Sequence, residues 1–543
     1  MMKKTLSIII ASTLLLFSLC LETLAHDTVE ELISNMTLSQ KIGQIMLIGF
    51  QRNTLSSKDI DHLNKLNPGG IVFYARNFLN ASDIPYLISK IKSIPKNHNL
   101  PLFFAIDQEG GVVHRIEGEY YKPPSALVIG AINSTKFARE VGLSVGNTLR
   151  NLGININLAP VLDVPADILS STITMRSYSN DSKIVEQLGT HYIDGIQDAG
   201  IFATAKHFPG IGRASEDTHH TLPHITWKTL DEKDSDIMPF REAIKMGVDM
   251  IMVGHVIAEP GDSENPVSLS SYWMTDVLRK DLEFKGLILI DNIEMKPIEN
   301  IMPISEAAVK SFNAGADIIM VSHERKQQEE VFNSLMKAVQ KGDISTERLN
   351  LSLRRIIEAK KRMLSNKAVQ ESSRNLKEIL RLSAEKSLTV LTLKDAPLFT
   401  INNEDNVLFA GYNTTLFKAI KDTFKHSEIL NTTLFNYKKL YPEIPLEEFI
   451  RKFDAIIIDA LYSDASEIIS ICNDLNVPYA MVLSNPLNTQ KILESVQPKW
   501  ILITYENNRV YLKTAMEIIT GVRRANGRLP YMVNLPINYK YMD

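Results

Sequence analysis

The chain has 543 residues, 44% of them hydrophobic and 22% charged, which is too long for one ordinary core and too apolar for a disordered chain. Two or more folded domains are expected. The net charge of -4 is dispersed, and the sequence has no basic stripe or aromatic–basic interleaving, which argues against a nucleic-acid partner.

Lys3 and Lys4 precede an apolar run from Leu6 to Leu19, and Thr23-Leu24-Ala25 puts small residues at the −3 and −1 positions of a cleavage site. Residues 1–25 are expected to be a secretory signal cleaved after Ala25, giving a periplasmic or secreted protein with no stable membrane insertion once it is removed. Two other readings stand beside this one: an uncleaved anchor, and a lipoprotein modified at Cys20. Cleavage after Ala25 leaves Cys472 as the sole cysteine, so stability must come from the core rather than from an internal disulfide.

Eight short apolar runs follow, at Met46–Phe50, Gly70–Arg76, Leu102–Asp107, Ile154–Pro160, Ala203–Phe208, Met250–His255, Gly286–Asp291 and Ala316–Ser322. Most are apolar on both faces, as buried parallel strands are. Amphipathic stretches such as Ala81–Ile94, Ser134–Leu152 and Ser182–Ala199 lie between them. This alternation predicts an α/β fold, a (β/α)₈ TIM-type barrel over residues 26–365. Arg76, Asp107, Lys206 with His207, His255, Asp291 and His323 end or closely follow six of the runs, so they are expected at one mouth of the barrel. Residues 366–380 read as a linker. Further apolar runs at Ser387–Thr392, Asn406–Ala410, Ala455–Asp459, Tyr479–Ser484 and Trp500–Tyr505 predict a smaller α/β sheet domain over 381–543.

The chemistry concentrates in the barrel. Asp217 and His219 are two apart, so in an extended loop they point to the same side. A carboxylate beside a histidine holds the imidazole in one tautomer and raises its basicity, which makes a general acid/base. Lys206-His207-Phe208-Pro209-Gly210 stands just before this pair. Asp107-Gln108-Glu109-Gly110-Gly111 offers a carboxylate at a tight turn, with Arg115 eight residues on as a hydrogen-bond donor to a hydroxyl. Asp291 follows a wholly apolar strand and is either hydrogen-bonded structure or a nucleophile. Gly210-Ile211-Gly212 lacks the third glycine of a dinucleotide loop, because Ser215 stands there. No His-Glu-x-x-His occurs, and neither metal nor cofactor is expected.

These motifs resemble glycoside hydrolase family 3, and within it the β-N-acetylglucosaminidase (β-N-acetylhexosaminidase) branch that acts on peptidoglycan fragments. The matching stretches run in family order: Pro68–Asn77, Asp107–Gly111, Asn157–Val164, Arg176–Tyr178, Lys206–Gly210, Asp217–His219 and Ala314–Asp317. The resemblance implies a retaining exo-β-N-acetylglucosaminidase that needs no cofactor and removes terminal N-acetylglucosamine from peptidoglycan-derived or chitin-like glycans. It implies Asp291 as nucleophile, His219 as acid/base and Asp217 as its orienting carboxylate. It also implies Asp107, Arg115, Arg176, Lys206 and His207 as sugar-binding residues. A nucleophile with an acid/base gives double displacement with retention.

The shell around these residues departs from the family pattern at Val112, Ile211, Arg213, Ala214, Ile290, Asn292 and Glu294. Two alternatives therefore stand beside the first: a non-catalytic glycan-binding envelope protein, and another glycosidase of the family such as a β-glucosidase. The sequence carries no signature of oligomeric state.

Overall fold

The computed structural model describes residues 28–94, 100–118, 121–169, 173–214, 221–365, 373–396, 399–531, 536 and 538–542. Eight parallel strands form the first domain: β1 (Met46–Ile48), β2 (Gly70–Phe73), β3 (Phe103–Ile106), β4 (Ile156–Asn157), β5 (Phe202–Phe208), β6 (Met250–Val253), β7 (Leu287–Ile290) and β8 (Ile319–Val321). They pair in chain order, β8 pairs with β1, and Leu289 bridges Ile318, so the sheet closes on itself. This is the expected barrel. Burial of both strand faces accounts for the continuous apolar runs: the interior is filled by side chains and the outer face is covered by helices.

The helices follow from periodicity. In Ser182–Asp198 the buried residues Val185, Leu188, Tyr192, Ile193 and Ile196 recur at three- and four-residue spacing, and the Asp181 side chain accepts the Lys183 N–H at the start. Among the described residues no helix is long and apolar enough to cross a membrane.

The second domain is a seven-stranded mixed sheet made of β9 (Thr389–Leu393), β10 (Asn406–Ala410), β11 (His426–Leu430), β12 (Ala455–Asp459), β13 (Tyr479–Leu483), β14 (Trp500–Ile503) and β15 (Tyr539–Tyr541). Its order is β11-β10-β12-β13-β14-β9-β15, with β9 antiparallel to both neighbours. Five of these strands coincide with the apolar runs of the sequence. The other two, β11 and β15, are edge strands whose polar side chains remain partly exposed, so they carry no apolar run.

The two cores are joined by helices. Residues 376–380, inside the stretch read as a linker, open the helix Leu376–Ser387; Leu376 and Ile379 pack in the barrel core, and Ala384 packs in the second. The barrel helix Ala126–Ile132 places Leu127, Val128 and Ala131 in the core of the second domain.

Candidate active site

The C-terminal ends of the strands surround a cavity of about 480 Å³, which falls in the range of small-molecule sites. Asp107, Arg115, Arg176, Lys206, His207 and Asp291 all line it. These residues come from the ends of four strands, β3, β4, β5 and β7, brought together because a parallel barrel presents every strand end at one mouth.

At its base lies a buried ion network. Lys206, 2% exposed, donates to Asp107 at 2.8 Å and pairs with Glu109 at 2.6 Å. Arg115 donates to the other Asp107 oxygen at 3.2 Å. Arg176 grips Glu109 with two hydrogen bonds of 2.9 and 2.8 Å, the bidentate geometry a guanidinium favours. Burial acts to raise the carboxyl pKa of Asp107, but Lys206 and Arg115 outweigh it and hold the group well below the usual carboxylate range. Glu109 is likewise brought down to about 2, because Arg176 and Lys206 overcome the cost of burial. Burial lowers the pKa of the Lys206 ammonium, and the two carboxylates more than restore it. All three groups are charged at neutral pH.

His207 is fixed from behind. Its Nδ1–H and its backbone N–H both reach Asp163, at 2.8 and 3.2 Å, and Asp163 also accepts the Ile211 N–H at 2.9 Å. Donation from Nδ1 leaves the Nε2 lone pair facing Arg176 Nη2 at 3.5 Å.

The glycine pair after Glu109 has a steric reason. Gly110 has φ +101°, and a Cβ there would stand 2.5 Å from the Pro124 carbonyl oxygen; Gly111 has φ +57°, and its Cβ would meet the Ser125 Cβ at 2.5 Å. The loop they open is held by Gln108, which accepts the Arg115 N–H at 2.9 Å and donates to the Tyr121 carbonyl at 2.8 Å. Arg115 Nε makes no hydrogen bond among the described residues although it is buried, leaving one donor beside the cavity.

Asp291 sits just past β7. Its backbone N–H donates to the Val253 carbonyl at 3.0 Å, and its carboxylate accepts the Asn292 N–H at 2.7 Å. Asn292 and Glu294 take on structural roles. Asn292 Oδ1 accepts the Ser322 N–H at 3.1 Å, while the Glu294 carboxylate accepts the N–H groups of Ser322, His323 and Glu324, each at 2.7 Å. The strand-end loops after β7 and β8 are thereby tied together, and His323 is held against the cavity with its ring 5.2 Å from that of Tyr74.

Two mouth residues expected from the sequence do not face the cavity. Arg76 lies over the Tyr74 ring and donates to the Phe50 and Ser322 carbonyls. His255 is 3% exposed and bridges Ser268 Oγ at 2.7 Å and the Asn292 carbonyl at 3.1 Å. Burial lowers the His255 pKa and keeps the ring neutral, a structural histidine beneath the Asp291 loop. Asp217 and His219 lie outside the described residues. Among the altered shell residues, Val112 is 64% exposed, while Arg213 turns to Asp236 with a 2.7 Å hydrogen bond.

The sequence reading passed over Asp163, Glu109, Glu294 and Tyr74. Asp163 and Glu109 lie within quoted motifs, but nothing in a single sequence distinguishes a buried partner from a loop carboxylate. Glu294 is a departure from the family pattern, and its partners are 28 to 30 residues away.

Comparison with known proteins identifies the framework that holds these groups. The model of the glycosyl hydrolase family 3 N-terminal domain matches residues 37–359. The chain belongs to glycosyl hydrolase family 3. It is 29% identical over 413 residues to beta-hexosaminidase A of Pseudoalteromonas piscicida, covering 68% of this chain and 69% of that protein. It is 32% identical over 295 residues to the beta-hexosaminidase of Haemophilus influenzae, covering 53% and 82%. A family 3 β-N-acetylglucosaminidase from Paenibacillus sp. superposes with a TM-score of 0.79 at 28% identity, covering 92% of this chain and all of that one. The β-glucoside phosphorylase BglX superposes with a TM-score of 0.76 at 19% identity, a likeness of fold. This family 3 chain is a glycoside hydrolase, with a barrel and an α/β sheet domain.

Proposed function

We propose that this glycoside hydrolase is a retaining exo-β-N-acetylglucosaminidase that removes terminal N-acetylglucosamine from peptidoglycan-derived or chitin-like glycans. The observation that carries this reading is the continuous network of Asp107, Lys206, Glu109, Arg176 and His207 beside the accessible carboxylate of Asp291. Its charged donors and acceptors, fixed by one another before any ligand arrives, suit the hydroxyls of one sugar ring and cost little reorganisation on binding. The names of the similar proteins support the N-acetylhexosaminide class.

In the proposed mechanism Asp291 attacks the anomeric carbon and His219 protonates the departing oxygen, giving a glycosyl-Asp291 ester. His219, oriented by Asp217, then deprotonates water, which attacks the same carbon and releases the sugar with its configuration retained. An acid/base outside the network leaves the network free to hold the sugar through both steps. The basic and apolar segment before Ala25 supports export, so the substrate would be met in the periplasm or outside the cell.

The test is hydrolysis of a chromogenic β-N-acetylglucosaminide, beside the matching β-glucoside, by residues 26–543 and by the Asp291→Ala and His219→Ala variants. Turnover of the N-acetylglucosaminide is expected, falling at least about 10⁴-fold in Asp291→Ala. A fluorinated slow substrate is expected to label Asp291. Undiminished turnover in Asp291→Ala would refute the mechanism. Preference for the glucoside would refute the substrate class, and binding without turnover would leave a glycan-binding protein.

A further inference from the structure

The second domain does more than cover an apolar face of the barrel: two of its polar side chains reach the segments that carry Arg176 and Arg115. Tyr531, 4% exposed, donates its hydroxyl to the Thr174 carbonyl at 2.6 Å, and the neighbouring Pro530 carbonyl accepts the Ser179 hydroxyl at 2.5 Å. These two contacts bracket Arg176 on both sides along the chain. The turn Thr174–Arg176 is only three residues long, so its path is set by such anchors rather than by helix propagation.

Glu506, 5% exposed, lies just beyond β14 and meets the other segment. It accepts the Ser125 N–H at 3.2 Å and pairs with Lys122 at 3.4 Å. Ser125 caps the barrel helix that enters the second core, and its side chain is what Gly111 must clear. Gln108 thus holds the backbone of Arg115 and the Tyr121 carbonyl, and Glu506 holds Ser125, where the chain beyond Arg115 enters the helix. The backbone that presents Glu506 is itself strained. Tyr505 has φ +62°, a left-handed conformation that a bulky side chain rarely adopts, and its hydroxyl is locked to Thr389 at 2.7 Å. A strained residue directly before a buried carboxylate at a domain junction, at the carboxyl end of a parallel strand, is the kind of position where strain serves a site.

We propose that Glu506 and Tyr531 are positioning residues for the sugar site: the second domain sets the places of Arg115 and Arg176 and thereby the affinity for the glycosyl group. This rests on the reading of those arginines as sugar-binding. Neither residue lines the cavity, so they act through the segments they hold. Loss of either anchor lets an arginine drift from the sugar, which weakens ground-state and transition-state binding alike; KM then rises while kcat is retained.

The experiment uses the full mature chain, residues 26–543, and the variants Tyr531→Phe, Glu506→Gln and Glu506→Ala. Steady-state kinetics on the chromogenic β-N-acetylglucosaminide are measured well below the unfolding midpoint of each protein. Tyr531→Phe is expected to raise KM by roughly threefold to tenfold with kcat changed by less than about twofold, the scale of one neutral hydrogen bond. Glu506→Ala is expected to raise KM at least as much, and Glu506→Gln, which keeps an oxygen for the Ser125 N–H, to recover most of the loss. Lowered unfolding midpoints with unchanged KM would overturn the proposal, making the contacts a packing interface alone. A fall in kcat at constant KM would overturn it as well. An intact chain that binds or turns over no N-acetylglucosaminide would overturn the sugar-site reading and this inference with it, whereas wild-type turnover with unaffected variants overturns this inference only.

Discussion

Replacing Lys206 with Met isolates the energetic role of the buried network. The wild-type ammonium sits between Asp107 and Glu109 at 2.8 and 2.6 Å and is 2% exposed, so water does not replace it. Breaking a buried ion pair by removing one partner costs about 3–5 kcal/mol, since the remaining charge is left in a poorly solvating interior. Here Arg115 still holds Asp107 and Arg176 still grips Glu109, so the low end, about 3 kcal/mol, is expected at neutral pH. Met fills much of the lysine volume, which keeps the cavity term small.

The assay is urea unfolding followed by the fluorescence of Trp227 and Trp273, which pack together in the barrel with ring centroids 5.6 Å apart. With a slope near 3 kcal/mol/M, the barrel midpoint should fall by about 1 M. The deficit must also depend on pH. Without the ammonium, one carboxyl is expected to rise above its unfolded pKa. Its protonation then favours the folded state, so the penalty is full near pH 7 and shrinks toward pH 5. Hydrolysis should fall by about 10- to 150-fold in kcat/KM, the worth of one charged hydrogen bond of about 1.5–3 kcal/mol. A variant that unfolds at the wild-type urea concentration, or one whose deficit is the same at pH 5 and pH 7, would refute the account of the network.

Glu109 makes a prediction for acid stability. Its pKa falls from 4.5 to about 2 on folding, so it contributes about 3 kcal/mol that is present above pH 4.5 and lost as pH falls toward 2. Asp236 and Asp249 run the other way: burial outweighs their arginine partners and pushes both up to about 6, so their protonation stabilises the fold as pH falls below 6. Urea midpoints measured from pH 7 to 2 should therefore pass through a maximum near pH 4–5, and a steady decline from pH 7 would contradict these assignments. Glu294→Ala removes the acceptor for three backbone N–H groups; Asn292 keeps the Ser322 amide and water reaches part of the remainder, so a loss of about 2 kcal/mol is expected in the same titration. An unchanged midpoint would mean that the two strand-end loops hold each other without that carboxylate.

The barrel was legible because its evidence is local. A strand buried on both faces must be apolar along its whole length, and an outer helix must be apolar every three or four residues; both patterns can be read in a window of a few residues, as in Gly286–Asp291 and Ser182–Ala199. The core of the second sheet was legible for the same reason, while β11 and β15 escaped because an edge strand has no need to be apolar. The motifs likewise supplied Asp107, Arg115, Arg176, Lys206, His207 and Asp291 as residue types fit for a sugar.

What the sequence could not supply was partnership. Arg76 and His255 end strands just as Asp107 and Lys206 do, yet one is turned back onto the Phe50 and Ser322 carbonyls and the other is buried under the Asn292 carbonyl. Glu109 and Asp163 look like ordinary loop acids until the closed barrel brings Arg176 to one and His207 to the other. Glu506 reaches Ser125 across 381 residues of chain. Hydrophobic periodicity is a property of neighbours along the chain, so one sequence determines it. Charge pairing and desolvation depend on which groups meet in space, and closure of the sheet and docking of the second domain decide that.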